Sequence, residues 1–349
     1  MLEGSKLDLI LKPTELCNFK CTFCSSSDIT TTKKDKLDLT YVERFLTRFP
    51  KTRTIIVNGG DPLMMSPDYY WEILNILKRK EMEHVTLSFT SNLWDFKKRP
   101  EKWRDLFRHP QVGVGTSFHY GENRLITTSR VFTEADFLEI SDLFLAEIGY
   151  RPDFISVIDA SNQDRAIDNV RLAKRINVEC KLNYANASGR QGKSFLIADI
   201  YEIYLEIYRQ GLMQWEYNTK QLVNVLNTFH TTCPLARNCD SGIRALHPNG
   251  EYYPCGAFGD DRMFPIDFDK EMASDHVATP ISNSINYAAM KPECYACEMF
   301  NICNGCRKGV RDTIESGRVE LHCKGMKAIS GDLLATARNH NHTVKHTPA

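Results

Sequence analysis

Residues 7–24 read LDLILKPTELCNFKCTFC. The apolar run Leu7–Lys12, closed by Pro13, predicts a short buried β-strand. Cys17-x3-Cys21-x2-Cys24 then falls on a loop at the C-terminal end of that strand, the edge where α/β folds gather ligands and reacting groups. Three closely spaced thiolates suit one [4Fe–4S] cluster with one iron left unligated by protein. A structural zinc site would want a fourth ligand, and residues 25–83 contain neither Cys nor His.

Working outward, the chain to about residue 210 alternates apolar runs with amphipathic helical patterns. Further strands are predicted at Thr54–Asn58, Val85–Thr90, Val112–Phe118, Phe154–Ile158 and Val178–Asn183. Helices start between them: Thr40 with Glu43 reads as a capping box, Ser66-Pro67 as N-cap and first helical residue, and Thr133 with Asp136 as a second capping box. Six strand–helix units in series favour a parallel sheet with right-handed crossovers. After about residue 230 helical periodicity weakens, and Pro, Gly, Asn and Cys become frequent. Such a region buries little apolar surface for its length and needs inorganic staples. The expected division is a first domain over 1–230, a cysteine-rich domain over 231–337 and a polar, poorly ordered tail over 338–349.

The 349 residues carry 44 basic and 44 acidic side chains, which removes the electrostatic case for non-specific nucleic-acid or membrane-surface binding. No apolar run reaches the roughly 18 residues of a transmembrane helix, and the opening Met-Leu-Glu-Gly-Ser-Lys is no signal peptide. The expectation is a cytoplasmic protein without membrane or nucleic-acid partners. In a reducing compartment twelve cysteines favour metal or cluster ligation over disulfides. Cys180 stands alone and reads as a buried thiol on a strand.

The Cys17/Cys21/Cys24 loop, with Phe23 before its last cysteine, resembles the signature of the radical S-adenosylmethionine (SAM) superfamily. That resemblance implies a partial (β/α)6 TIM-like barrel in which the open iron binds the amino and carboxylate groups of SAM. One electron then cleaves the S–C5′ bond, and the 5′-deoxyadenosyl radical takes hydrogen from substrate. Asn58-Gly59-Gly60-Asp61-Pro62 resembles the family's Gly-Gly-Glu-Pro motif, which receives the SAM ammonium, with Asp61 in place of Glu. Thr116-Ser117-Phe118-His119-Tyr120-Gly121 is similar to a family Thr-Ser-Leu-Asp-Gly segment. It implies that Ser117 reaches the ribose, and His119 departs from the family's Asp. Arg130 falls near a family arginine that meets the SAM carboxylate, and Thr90-Ser91-Asn92 is similar to a family Thr-Asn-Gly. Gly113-Val114-Gly115 lacks the third glycine of a dinucleotide loop.

Cys239-x10-Gly250-x4-Cys255, Cys294-x2-Cys297-x5-Cys303-x2-Cys306 and Cys323 together resemble the SPASM domain, the auxiliary-cluster extension of many radical SAM enzymes. The Cys303–Cys306 spacing is one residue shorter than the family's, and Cys233 supplies an eighth thiolate. By resemblance Cys233, Cys239, Cys255 and Cys306 share one cluster, and Cys294, Cys297, Cys303 and Cys323 another, making three [4Fe–4S] clusters in all. Read alone, the same eight thiolates also suit two four-cysteine zinc sites. Gly189-Arg190 is similar to a glycine–arginine pair common in such enzymes.

A complete SPASM set implies a peptide- or protein-modifying maturase that abstracts hydrogen for oxidation, crosslinking or epimerisation, with reduced flavodoxin or ferredoxin as electron donor. Sixteen residues precede Cys17, so no fused leader-binding domain is expected. Gly256 stands where sulfatase maturases carry a basic Asp, which speaks against that subclass. A dehydrogenase of a sugar or aminocyclitol is the second reading. A non-enzymatic iron–sulfur or zinc protein is the third.

Overall fold

The computed structural model describes residues 6–26, 35–189, 191, 195–228, 239–284, 290–303 and 305–345. Six strands form its parallel centre: β1 (Asp8–Leu11), β2 (Thr54–Val57), β3 (Thr86–Thr90), β4 (Val112–Ser117), β7 (Phe154–Ile158) and β8 (Cys180–Tyr184). They lie in the order β1-β2-β3-β4-β7-β8, each pair parallel, with Leu9 opposite Ile55 and Phe154 opposite Cys180. The crossovers are helical: α1 (Leu39–Arg48), α2 (Pro67–Arg79), α3 (Trp94–Lys98) with α4 (Pro100–Phe107), α5 (Glu134–Ile148) and α6 (Ala166–Ile176). A short hairpin of β5 (Leu125–Thr127) and β6 (Arg130–Val131) interrupts the passage from β4 to α5. The expected α/β, TIM-like architecture is present as an open sheet.

The alternation along the strands separates a face packed on the helices from a more open one. Ile55, Val57, Leu87, Phe89, Val112, Val114, Phe154 and Ile158 are buried in the apolar core with the helices. Their opposite neighbours, among them Ser88, Thr90, Gly113, Gly115, Ile155 and Lys181, are only half-buried and line a cavity of about 600 Å³ inside the curved sheet. Small and polar side chains on one face leave the barrel interior hollow, where bulky ones would fill it.

Helix α5 begins with the expected capping box: the Thr133 hydroxyl accepts from the Asp136 N–H, and the Asp136 carboxylate accepts from the Thr133 N–H. Ser66 caps α2 without a side-chain bond, ahead of Pro67. The expected box at Thr40 and Glu43 is corrected. Asp38 is the N-cap of α1, and its carboxylate accepts from the Thr40 N–H at 2.9 Å.

After α7 (Ile197–Arg209) and α8 (Tyr217–Thr228) the chain returns to the sheet. Strand β9 (Ile243–Leu246) pairs parallel to β1, Leu9 opposite Arg244, and β10 (Tyr252–Tyr253) pairs antiparallel to β9. The cysteine-rich part therefore extends the first part's sheet. Its helices are α9 (Cys239–Gly242), α10 (Gly256–Asp260), α11 (Phe268–Ala273), α12 (Phe300–Cys303), α13 (Arg307–Glu315) and α14 (Val319–Lys345). The expected boundary at 230/231 lies outside the described residues. Helix α14 runs to Lys345, into the segment expected as a polar, poorly ordered tail, and packs on α7 and α8. Among the described residues no helix is long and apolar enough to cross a membrane.

Candidate active site

The loop after β1 carries Cys17, Cys21 and Cys24, all half-buried, at the C-terminal edge of the sheet. Its course is held by backbone bonds on both sides. The Lys20 N–H donates to the Leu125 carbonyl (2.7 Å) and the Thr22 N–H to the Asn123 carbonyl (3.0 Å). Phe19 plugs the loop into the core against Trp94 and Phe132. Phe23 meets the His119 ring edge-on at 4.8 Å. Burial raises the Cys17 thiol, helped by nearby Asp61, Cys21 and Cys24. Crowded, partly dry thiols of this kind ionise only with a compensating positive charge, which iron provides.

Gly59 and Gly60 lie directly beneath this loop. The Gly60 N–H donates to the Thr14 carbonyl (2.9 Å) and the Asp61 N–H to the Leu16 carbonyl (2.7 Å). A Cβ on Gly60 would overlap the Leu16 carbonyl, and one on Gly59 (φ +122°) would lie 2.7 Å from the Thr14 oxygen. The two glycines thus admit the cysteine loop itself. Asp61 faces inward: its carboxylate accepts from Ser91 Oγ (3.0 Å) and from the N–H groups of Asn92 (2.8 Å) and Leu63 (2.9 Å). Burial pushes it up to about 6 against those three bonds. Asn92 Nδ2 also donates to Asn18 Oδ1 (2.7 Å), so Ser91 and Asn92 brace the cysteine loop through Asp61 and Asn18.

The charged group brought to the thiols is Arg124, which the sequence did not single out. Its guanidinium is buried between the rings of Phe19 and Phe132, within electrostatic reach of Cys21, Cys17, Asp61 and Cys24. Nη2 donates to Ser117 Oγ, while Nε has no partner among the described residues. Arg130 is not brought here. It is half-exposed, paired with Asp136 (2.7 Å) and laid over the Trp94 ring. His119 is buried nearby, its Nε2 at 2.7 Å from Asn123 Oδ1 and its Nδ1 without a partner among the described residues; burial and Arg124 bring it down to about 4. Gly189 (φ +59°) closes the far side, where a Cβ would overlap the Ser25 carbonyl; Arg190 lies outside the described residues.

The C-terminal cysteines separate into two groups. Cys255 precedes α10, and its thiol is lowered to about 7 by a bond with Cys239 and by the N–H groups of Ala257 and Phe258. Cys306 lies beside Cys255; burial pushes it up to about 11. Cys303, three residues earlier, belongs elsewhere: burial and the neighbouring Cys297, Cys294 and Cys323 push it up to about 12. Those four thiols line one cavity of about 280 Å³. Cys233 lies outside the described residues. No described cysteine is in a disulfide, and among the described residues no three His, Cys, Asp or Glu side chains converge on a single point. Four thiols around a space, drawn from separate segments, match the chemistry of a polynuclear cluster.

A buried ion pair, also unforeseen, joins the two regions. Lys12 Nζ meets Asp260 Oδ1, and Ser25 Oγ donates to Asp260 Oδ2 (2.9 Å). Burial works against the Lys12 charge, but Asp260, Glu15 and Cys24 outweigh it and hold its pKa up. Asp260 ends α10, which begins after Cys255, so one carboxylate links the segment of one thiol group to the loop of another. Lys12 carried no signal in the sequence beyond ending a strand.

Comparison with known proteins agrees with this geometry. The family model "Radical SAM superfamily" matches residues 11–189. Two cysteine-type anaerobic sulfatase-maturating enzymes are similar along almost their whole length. The one from Clostridium novyi is 21% identical over 360 residues, and the one from Clostridium perfringens 20% over 361; each alignment covers 92% of this chain and 94% of the relative. The solved structure of native anSMEcpe with bound AdoMet and Cp18Cys peptide superposes with a TM-score of 0.70 at 15% identity, covering 96% of this chain and 99% of that one. Streptococcus suis SuiB bound to precursor peptide SuiA gives 0.61 at 16% identity, over 87% and 72%. With a family model matching residues 11–189 of its 349, the cysteine loop and its glycine turn included, the chain belongs to the radical SAM superfamily.

Proposed function

We propose that this protein is a SPASM-type radical SAM enzyme that modifies a peptide or protein, residues 1–230 forming the barrel and 231–337 the auxiliary-cluster domain. The observation that carries the reading is the grouping of thiols: Cys17, Cys21 and Cys24 beside a buried arginine, and two further groups behind them. When bound, the reduced [4Fe–4S] cluster of the first group supplies the electron that cleaves SAM, and the resulting radical removes hydrogen from the substrate. Arg124, buried with its Nε unpaired among the described residues, would take the SAM carboxylate. Ser117, held by Arg124, would face the ribose, and the backbone of Gly59 and Gly60 would receive the ammonium.

Cys239, Cys255 and Cys306 with Cys233, and Cys294, Cys297, Cys303 and Cys323, would hold the two auxiliary clusters. A peptide substrate is supported by the relatives, since anSMEcpe and SuiB are solved with a peptide and a precursor peptide bound. Reduced flavodoxin or ferredoxin would supply electrons. Anaerobically reconstituted, dithionite-reduced protein is expected to cleave SAM to 5′-deoxyadenosine and methionine. Replacing Cys17, Cys21 and Cys24 together by Ala should abolish cleavage and leave the auxiliary clusters in place; 5′-deoxyadenosine from that variant would refute the assignment.

A further inference from the structure

His322 stands in helix α14 next to Cys323 and is 1% exposed. Val319, His322, Cys323 and Met326 follow the i, i+3, i+4, i+7 spacing of one helix face, and all four line the cavity shared with Cys294, Cys297 and Cys303. Neither ring nitrogen of His322 has a hydrogen-bond partner among the described residues. A buried polar group left unpaired is destabilising, so a partner is expected within the cavity. Two other polar members of the wall are already committed: Lys291 pairs with Glu293 (3.2 Å) and with Glu320 (2.7 Å). Met290, Met299 and Phe300 supply much of the rest. The groups around the cavity that are rich in acceptor electrons are the sulfurs that would fill and border it.

We propose that His322 donates an imidazole N–H hydrogen bond to a sulfur of the cluster held by Cys294, Cys297, Cys303 and Cys323, and thereby raises that cluster's reduction potential. The proposal rests on the reading that these thiols hold a cluster. A neutral imidazole always carries one N–H donor, so the bond requires no change of protonation. Gaining an electron puts more negative charge on the sulfurs. A donor aimed at them therefore stabilises the reduced form more than the oxidised one. His322 is a positioning residue for electron flow and touches neither SAM nor substrate.

The test uses the reconstituted holoprotein with all clusters loaded. Redox titration followed by electron paramagnetic resonance should give His322→Phe a more negative midpoint for one auxiliary cluster. At fixed poise its reduced-to-oxidised ratio should fall about tenfold, equal to about 59 mV for one electron. His322→Gln, which keeps an N–H donor, should recover much of the shift, whereas a purely structural role would not respond to the donor. Pulsed resonance on wild-type protein labelled with ¹⁵N-histidine should show a weak nitrogen coupling to the same reduced cluster and needs no variant to fold. An unchanged midpoint in fully loaded His322→Phe, or no coupling in the labelled wild type, overturns the proposal while leaving the cluster reading intact. Zinc in this site, or an auxiliary signal that is unchanged in Cys303→Ala protein, refutes the cluster reading and the proposal with it.

Discussion

Two arginines flank the β5 strand, and their surroundings separate their roles. Arg124 is buried between two aromatic rings next to three thiols; Arg130 lies half-exposed on the Trp94 ring, paired with Asp136. A charge-assisted hydrogen bond to a ligand is worth about 1.5–3 kcal/mol, or roughly tenfold to a hundredfold in affinity. Arg124→Gln should weaken SAM binding to the reconstituted protein by that factor in calorimetric titration, and Arg130→Gln should leave it unchanged. Equal effects of the two changes would undo the distinction. No local pattern separates these residues, because both stand in the same short polar hairpin. Which one turns inward is decided by pairing: Thr127 opposite Arg130 and Leu125 opposite Val131 close the hairpin, while the Asn123 and Leu125 carbonyls clasp the cysteine loop.

The elements themselves were largely legible. Each of the six expected strands is present within two residues of its expected ends, since alternating or continuous apolar runs bounded by Gly, Pro and polar residues have few other ways to bury themselves. Caps were legible only where the side-chain geometry is unique. Thr133 and Asp136 satisfy each other's backbone N–H groups, whereas Thr40 lost the cap of α1 to Asp38, two residues upstream. Thr133→Ala should therefore lower stability by about 1 kcal/mol. Thr40→Ala should cost less, because the capping Asp38 carboxylate keeps the Thr40 backbone N–H and loses only an exposed hydroxyl contact. Thermal unfolding of the two variants side by side checks both expectations. Strand β9 escaped notice because Ile243–Leu246 is short, contains an arginine, and becomes a strand only by lying against β1.

At the scale of the molecule, Cys303 and Cys306 are three residues apart yet belong to different groups of thiols. Helix α12 ends at Cys303 beside Cys294, Cys297 and Cys323, and α13 starts after Cys306, whose thiol accepts from the Gly309 N–H and reaches toward Cys255. Sending the second thiol back across the chain staples two segments that share little apolar core, which limits the freedom of the unfolded chain. Cys303→Ala and Cys306→Ala should each remove one auxiliary signal, and not the same one, from the resonance spectrum of reduced protein. Loss of the same signal in both variants would place the two thiols on one cluster. The Lys12–Asp260 pair adds a direct tie between the β1 strand and the end of α10, so the cluster regions are mechanically joined as well as chemically similar.

Read alone, the sequence determined the parallel α/β architecture, the edge at which chemistry gathers and the identity of the thiols, because hydrophobic period and cysteine spacing are properties of neighbouring residues. The tertiary structure alone decided which arginine meets the thiols, why Gly60 and Gly189 are glycines, and that Lys12 and His322 are buried. Each of these depends on segments tens to hundreds of residues apart meeting in space, and a buried charge or an unpaired imidazole has no signature until the groups around it are in place.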